Sequence, residues 1–357
     1  MAGDESTGEV WVLGATGRSG RAMTAALVAA GVRPVLVGRD PERLASAAAA
    51  AGAALRSVVA ADPAATAVEI ARQRPAVVLN TIGPFAQTGA LLARACLPAS
   101  HYVDIANELD AATELLALHE DAVTAGRTLV NGAGFGVLAT ESIVVGLCAG
   151  RPTPVEVAVD AIPSVDIDAG VIGEALAGTI VSSLAGGGRQ YQGGRLLPVR
   201  LGGVRHLTLP DGRSVTTADS SSGELHAARV ASGAPSVTAA SSLAPTSAAV
   251  RALLPVVGAL VSVGPVGTLA TRLLGRTPLK ARPRAHEHSW GHAEVRWADG
   301  TTREGWLRTG DAMAFTAAAA VQAVVRLTRG EGRAGAHTPT LAFGTDLAAA
   351  AGGELLL

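Results

Sequence analysis

Lysine is almost missing from this chain. Lys280 is the single lysine among 357 residues, and the other basic side chains are arginines. Any mechanism that needs a lysine amine must use Lys280 or be discarded. Cysteine is nearly as scarce. Cys96 and Cys148 alone exclude a disulfide scaffold and a cysteine-only zinc site. Both lie in apolar helical patterns, which suits buried thiols in a reducing compartment. An excess of positive charge is missing too. With 29 basic and 30 acidic residues the net charge is -1, so no general nucleic-acid partner is expected. The opening MAGDESTGEV is acidic and has no apolar run, unlike a signal peptide. A cytoplasmic location is the resulting expectation.

Long apolar runs are also rare, with one exception. Residues 252–271 carry no charge, between Arg251 and Arg272. Their length reaches that of a bilayer span. However, Pro255 and Pro265 each remove a backbone donor, and three glycines interrupt the run. A kinked helix pair is expected instead of an integral span. It should cover the second domain or a subunit contact, and its apolar surface favours a homodimer.

What is present is a 48% hydrophobic chain, long enough for about two domains. Six short apolar runs (10–13, 34–37, 55–60, 76–79, 102–105, 128–130) alternate with helical patterns. Such runs, nearly continuous and separated by helices, read as a parallel sheet covered on both faces. After residue 150 the pattern changes. Val155, Val157 and Val159 alternate with Glu156 and Asp160, residues 171–185 read as a helix, and turns fall at Asp211-Gly212 and Asp299-Gly300. Residues 218–248 are rich in Ser, Ala and Thr and resist assignment. The expected fold is α/β, with three parts. A doubly wound Rossmann-type parallel sheet takes residues 1–135. A second, α+β domain with an antiparallel sheet takes 136–311. C-terminal helices at 312–357 pack back at the domain interface.

The strongest local signal is Gly14-Ala15-Thr16-Gly17-Arg18-Ser19-Gly20, between the first run and the first helix. A dinucleotide pyrophosphate needs that geometry: glycines allow close backbone approach, and the helix N-terminus favours the anion. Gly14, Thr16, Gly17, Arg18, Ser19 and Gly20 are therefore candidate cofactor residues. The second run ends in Val37-Gly38-Arg39-Asp40. Arg39 can pair with a 2′-phosphate, with help from Arg18 or Arg43, which favours NADP over NAD. In the other reading, Asp40 holds the ribose. Asp62 and the turn Gly83, Pro84 and Phe85 follow the third and fourth runs and complete the cofactor set. The Tyr-x-x-x-Lys pair of short-chain dehydrogenases is excluded, because neither Tyr102 nor Tyr191 precedes a lysine at that spacing.

Several further pieces occur in order: His101-Tyr102-Val103-Asp104 running to Asn107-Glu108, Gly178-Thr179 with Ser182, Trp290-Gly291, Thr316-Ala317-Ala318, and Thr338-Pro339 with Ala342-Phe343-Gly344. Together with Gly14–Gly20 and Gly83-Pro84-Phe85, they resemble the saccharopine dehydrogenase-like oxidoreductases over nearly the whole chain. Two departures stand out. Asn107 replaces the family's usual glycine, and Gly136-Val137 replaces an Asp-Ser pair after the sixth run. The loss of polar groups there is compatible with an apolar substrate. The resemblance implies an NADP-binding domain facing a substrate domain, with hydride transfer in the cleft. Members act on saccharopine-type imines, and one branch comprises trans-acting enoyl reductases.

Ligands bind beyond the carboxyl ends of parallel strands. Glu108 and Asn107 lie at that end of the fifth run and are candidate catalytic residues, Glu108 as proton donor or nicotinamide-orienting group. A purely structural Glu108 would instead sit on the dipole of the helix that follows it. His286, His288, Trp290 and His292 would share one face of a strand. A metal there would need a further ligand, and hydride reduction needs none, so no metal is expected. His288 is the candidate acid of this group, since an imidazole titrates near neutrality. The expected function is NADPH-dependent reduction of a C=N or C=C bond in a small or lipid- or polyketide-like metabolite. The alternative is an NADP-binding sensor or scaffold without turnover.

Overall fold

The computed structural model describes residues 8–167 and 169–357. Strands β1 (Val10–Leu13), β2 (Val35–Gly38), β3 (Ser57–Val59), β4 (Val77–Asn80), β5 (His101–Asp104) and β6 (Thr128–Val130) alternate with helices. The helices are α1 (Arg18–Ala29), α2 (Pro41–Ala50), α3 (Pro63–Gln73), α4 (Phe85–Cys96), α5 (Leu109–Leu116) and α6 (His119–Ala125), with α7 (Phe135–Cys148) after β6. Local chemistry sets several boundaries. Asp40 and Asp62 each cap a helix whose first residue is proline, so an orphan donor is satisfied and the first turn has its φ preset. Gly126 ends α6 in the left-handed conformation.

The remaining elements are β7 (Glu156–Ile162), β8 (Gly170–Val171), α8 (Glu174–Gly186), β9 (Arg189–Gln192), β10 (Arg195–Pro198), β11 (Val204–Thr208) and β12 (Ser214–Asp219). Next come α9 (Gly223–Ser232), β13 (Ser236–Ser241), α10 (Ala248–Val261), α11 (Gly264–Gly275), β14 (Pro278–Leu279), β15 (Ser289–Arg296) and β16 (Thr302–Thr309). The chain closes with α12 (Ala312–Thr328), β17 (Gly335–His337), α13 (Pro339–Phe343), α14 (Asp346–Ala350) and β18 (Glu354–Leu356).

The first sheet is parallel, in the order β17-β6-β5-β4-β1-β2-β3. Its seventh strand, β17, comes from the C-terminal segment and pairs with β6 through Gly335, Ala336 and His337. No sequence pattern announced it: three residues without a β-branched side chain carry no strand signal. The second sheet is mixed, not purely antiparallel as expected. β13 runs parallel to β7, from Ser236 opposite Glu156 to Ser241 opposite Ala161. The reason lies in the stretch that resisted assignment. It holds α9 and β13, and a helix immediately before a strand permits a parallel pairing that a tight turn cannot. The β11–β12 and β15–β16 hairpins turn around Gly212 and Gly300, both at positive φ.

Helix α7 lies against the second sheet: a Cβ on Gly291 of β15 would sit 2.9 Å from Ala139. Its burial is nearly uniform around the helix, as an all-round apolar sequence requires. Helix α12 joins both cores. Ala320, Val321 and Val324 pack with Val12, Met23 and Leu27 of the first sheet and α1, while Phe315 and Ala319 pack with Leu138 and Ile143 of α7. Alanine is what allows one helix to approach two neighbours this closely. The uncharged window forms α10 and α11, bent by 115° at Ser262-Val263. Pro255 sits inside α10 without ending it. Among the described residues, no single helix is long and apolar enough to cross a membrane.

Candidate functional site

The glycine turn after β1 is built for close backbone approach. Gly14 has φ +73° and donates its N–H to Val37 at the end of β2. A side chain on Gly20 would overlap the Gly14 carbonyl and stand 2.8 Å from the Ala15 α-carbon. Helix α1 begins with Gly17 as its cap, no capping side chain and no acid in its first turn. Its leading N–H groups thus have no side-chain acceptor among the described residues, the arrangement that receives a phosphate. Thr16 lies beside this turn and its carbonyl accepts from Arg21 at 2.6 Å.

Next to it is a pocket of about 270 Å³, lined by Thr16, Arg21, Arg43 and Ser46. Arg39 is exposed at the end of β2, outside that lining. Arg21 was not foreseen, although its place one turn into α1 puts it on the same end of the helix as Arg18. Asp40 is engaged elsewhere: its Oδ1 accepts from the Glu42 and Arg43 N–H groups. Asp62 likewise accepts from Ala65 as the cap of α3.

The carboxyl ends of β4, β5 and β6 are tied together by a buried polar chain. Asn80 donates to the Tyr102 hydroxyl at 2.9 Å, and Tyr102 donates to Asp104 at 3.1 Å. Asp104 also accepts from the Asn131 side chain and from the Gly132 and Ala106 N–H groups. Burial pushes its pKa up to about 6, while the hydrogen bonds from Gly132 and Ala106 act in the opposite direction. This network fixes the turns that follow the three strands. It also removes Tyr102 from any catalytic role, since the hydroxyl is fully buried.

Glu108 is buried and not aimed at its own helix. Its Oε1 accepts the Phe85 N–H at the start of α4 (3.1 Å) and the Thr179 hydroxyl on α8 (2.7 Å), and Oε2 accepts the Asn107 N–H. The helix dipole it meets is therefore that of α4, not α5. Beside it, Gly178 is pressed on Pro84: a Cβ would stand 2.6 Å from the proline ring. Ser182, one turn further along α8, lines a cleft with Glu108, Asp110, Arg189 and Ser221. Gly83-Pro84-Phe85, Asn107-Glu108 and Gly178-Thr179-Ser182, far apart in sequence, thus meet at one place.

His288 is not brought to that place. It stacks edge-on against Trp290, which packs with Trp306 and Leu209 on the face of the second sheet turned away from α7. β15 starts only at Ser289, so His286 and His288 precede the strand. His292 is buried on the same outer face and bonds Asp160 at 3.0 Å, with Thr217 and Arg205 completing the set.

The residue that sequence reasoning missed is Glu224, near the start of α9. It is 3% exposed, its Oε2 has no hydrogen-bond partner among the described residues, and Ser222 and Asn107 lie beside it. Burial raises its pKa. Its carboxylate occupies the space where a side chain at Gly136 would be. The only hint was Gly136 itself, at the point where the chain departs from the resembled pattern.

No protein-family model matches the chain, and a search of curated proteins finds no relative by sequence. Among solved structures, the chain is similar to saccharopine dehydrogenase (L-Glu forming) from Saccharomyces cerevisiae. The identity is 13%, the match covers 98% of this chain and 100% of that one, and the TM-score is 0.56. A metagenomic short-chain oxidoreductase in complex with NADP matches 34% of this chain and 80% of its own, at 21% identity and a TM-score of 0.29. A short-chain dehydrogenase from Streptomyces avermitilis matches 35% and 64%, at 19% identity and a TM-score of 0.28. The class defined here is thus a Rossmann-type parallel sheet joined to a mixed-sheet domain. In particular, the chain has the fold of saccharopine dehydrogenase.

Proposed function

We propose that this chain is an NADPH-dependent oxidoreductase that reduces a C=N or C=C bond of a small or lipid- or polyketide-like metabolite. The observation that carries the reading is the convergence at the carboxyl ends of β1, β4 and β5. There the uncapped α1 N-terminus, the Gly83-Pro84-Phe85 turn and the Glu108–Thr179 contact follow strands that are neighbours in the sheet. The Gly14–Gly20 turn leaves room for a pyrophosphate, and Arg21, Arg43 and Arg39 supply cations for a 2′-phosphate. NADPH held there would supply the hydride.

The rest of the work belongs to the chain's own side chains. Glu108, by bonding Phe85 and Thr179, holds α4 and α8 together and so sets the width of the cleft. All of its near partners are donors, so it acts as a positioning residue. Glu224 is the stronger candidate for the proton that reduction consumes. It is buried, burial raises its pKa above that of an exposed carboxyl, and the exposed Asn107 lies beside it. An enoyl substrate would need this acid at the carbon next to its carbonyl, whereas an iminium would need it less.

The test has two stages. NADPH binding is measured by fluorescence titration, and NADPH oxidation is then followed with cyclic imines and with enoyl thioesters. Tight NADPH binding with turnover of one class is the expected result. Absence of binding would overturn the reading, and binding without turnover of either class would favour the sensor alternative.

A further inference from the structure

Helices α10 and α11 are built inside out. Leu253, Val256 and Leu260 of α10 and Val266, Leu269 and Leu273 of α11 are 42–61% exposed. The buried positions are glycines. Gly258 lies against the Leu184 carbonyl of α8, and Gly267 lies against Val261 and Val181. A helix covering a core in water normally puts its large apolar side chains inward. Here the large side chains form one outward stripe on each helix, because positions 253, 256 and 260, and 266, 269 and 273, recur at helical spacing.

Charge on this region is equally one-sided. Residues 225–286 contain no Asp or Glu, but hold six arginines and Lys280. Arg272, Arg276, Lys280, Arg282 and Arg284 are exposed, and no ion pair among the described residues involves them. On the helical wheel, Arg272 and Arg276 fall next to the Leu269–Leu273 stripe. An aliphatic face bordered by cations matches the boundary of an anionic bilayer, where acyl chains take the apolar face and headgroups take the charges. Spanning is disfavoured by geometry: the 14 residues of α10 extend about 21 Å, short of a hydrocarbon core of about 30 Å, and the pair is bent by 115°. A second copy is disfavoured by charge, because residues 225–286 contain no Asp or Glu, so a two-fold contact between these faces would offer the cationic rim no acidic partner from this stretch.

We propose that the α10–α11 pair docks this protein in the plane of an anionic lipid bilayer. The pair packs on α8, whose Thr179 bonds Glu108, so docking would place one wall of the cleft next to the membrane. The docking itself does not rest on the reductase reading.

The experiment is flotation of the purified full chain with vesicles of phosphatidylcholine alone or mixed equally with phosphatidylglycerol. Expected is at least tenfold stronger partition to the anionic vesicles, falling about tenfold between 0.1 and 0.5 M NaCl. L260E/L269E should abolish binding to both vesicle types, and R276E/K280E/R282E should remove the anionic preference. Both variants should keep the native circular dichroism spectrum, since all five positions are exposed or partly exposed. Three results would overturn the proposal: no partition of the native chain to either vesicle, retention through a carbonate wash, or a dimer in solution that L260E/L269E dissociates. NADPH titration of the same samples reads the cofactor site independently, so failure here is distinguishable from failure of the proposed function.

Discussion

Gly136 on α7 and Glu224 on α9 share one space: the carboxylate of Glu224 lies where a Cβ on Gly136 would have to go. Glycine at 136 therefore does more than shorten a side chain. It admits a buried acid from the second domain to the turn after β6. That turn carries an Asp-Ser pair in the resembled pattern, so here the polar group at this end of the sheet arrives from a different part of the chain.

Gly136→Ala should destabilise the fold by about 1–3 kcal/mol, because the methyl must displace a carboxylate held between two helices. Glu224→Ala should relieve part of that loss in the double variant, a coupling expected only for residues in contact. Thermal or urea denaturation of the four proteins in the cycle measures it. Additive losses would show that the two residues do not share the space.

Glu224→Gln should lower kcat roughly 10²- to 10⁴-fold for an enoyl substrate, the range of a lost general acid, and leave NADPH affinity unchanged. The alkaline limb of the pH–rate profile should disappear with it. A structural role alone would lower stability but leave the shape of that profile intact.

Arg39→Ala should weaken NADPH binding by about 1.5–3 kcal/mol, the scale of a hydrogen bond to a charged group, with little change for NADH. Arg43→Ala should act in the same direction, because Arg43 lines the pocket beside Thr16. Fluorescence titration with both cofactors decides it. Equal losses for the two cofactors, or a native preference for NADH, would remove the 2′-phosphate assignment.

Glu141 on α7 accepts from the Thr338 hydroxyl and from the Thr340 and Leu341 N–H groups, and burial pushes its pKa up to about 7. Its folded value thus lies above the unfolded one of about 4.3. The stability it contributes is full below that unfolded value and is lost as pH rises through about 7. Asp104, pushed up to about 6, acts in the same direction at slightly lower pH. Urea midpoints should therefore fall between about pH 4 and 7, each group contributing at most about 1.4 kcal/mol per pH unit. Glu141→Gln should flatten the upper part of that slope. A midpoint that rises with pH across this range would refute the assignment.

Much of the first sheet was legible from residue order. Apolar runs, Asp-Pro helix starts and glycine stops are local signals, and each acts within a few residues of where it is read. The Gly14–Gly20 turn was legible for the same reason, because backbone crowding at Gly20 involves only Gly14 and Ala15. The meeting of Pro84, Glu108 and Thr179 is different, since it depends on packing between segments some 70 residues apart. The spacing of His286, His288 and His292 suggested a shared face, but no local rule could say which side of the second sheet that face would be. Packing of α7 on Gly291 decided it, and turned Trp290 and His292 to the opposite face, while His286 and His288 precede the strand. β17 and Glu224 were invisible for a related reason. A three-residue strand is stabilised by the neighbour it pairs with, and a buried acid by the glycine that makes room for it. By itself, then, the sequence determined the periodic elements and the Gly14–Gly20 turn, because those follow from short-range sterics and hydrogen bonding. The tertiary structure alone decided that Glu224 is buried against Gly136 and which helix stripe is left facing outward, because burial is a property of the whole packed chain.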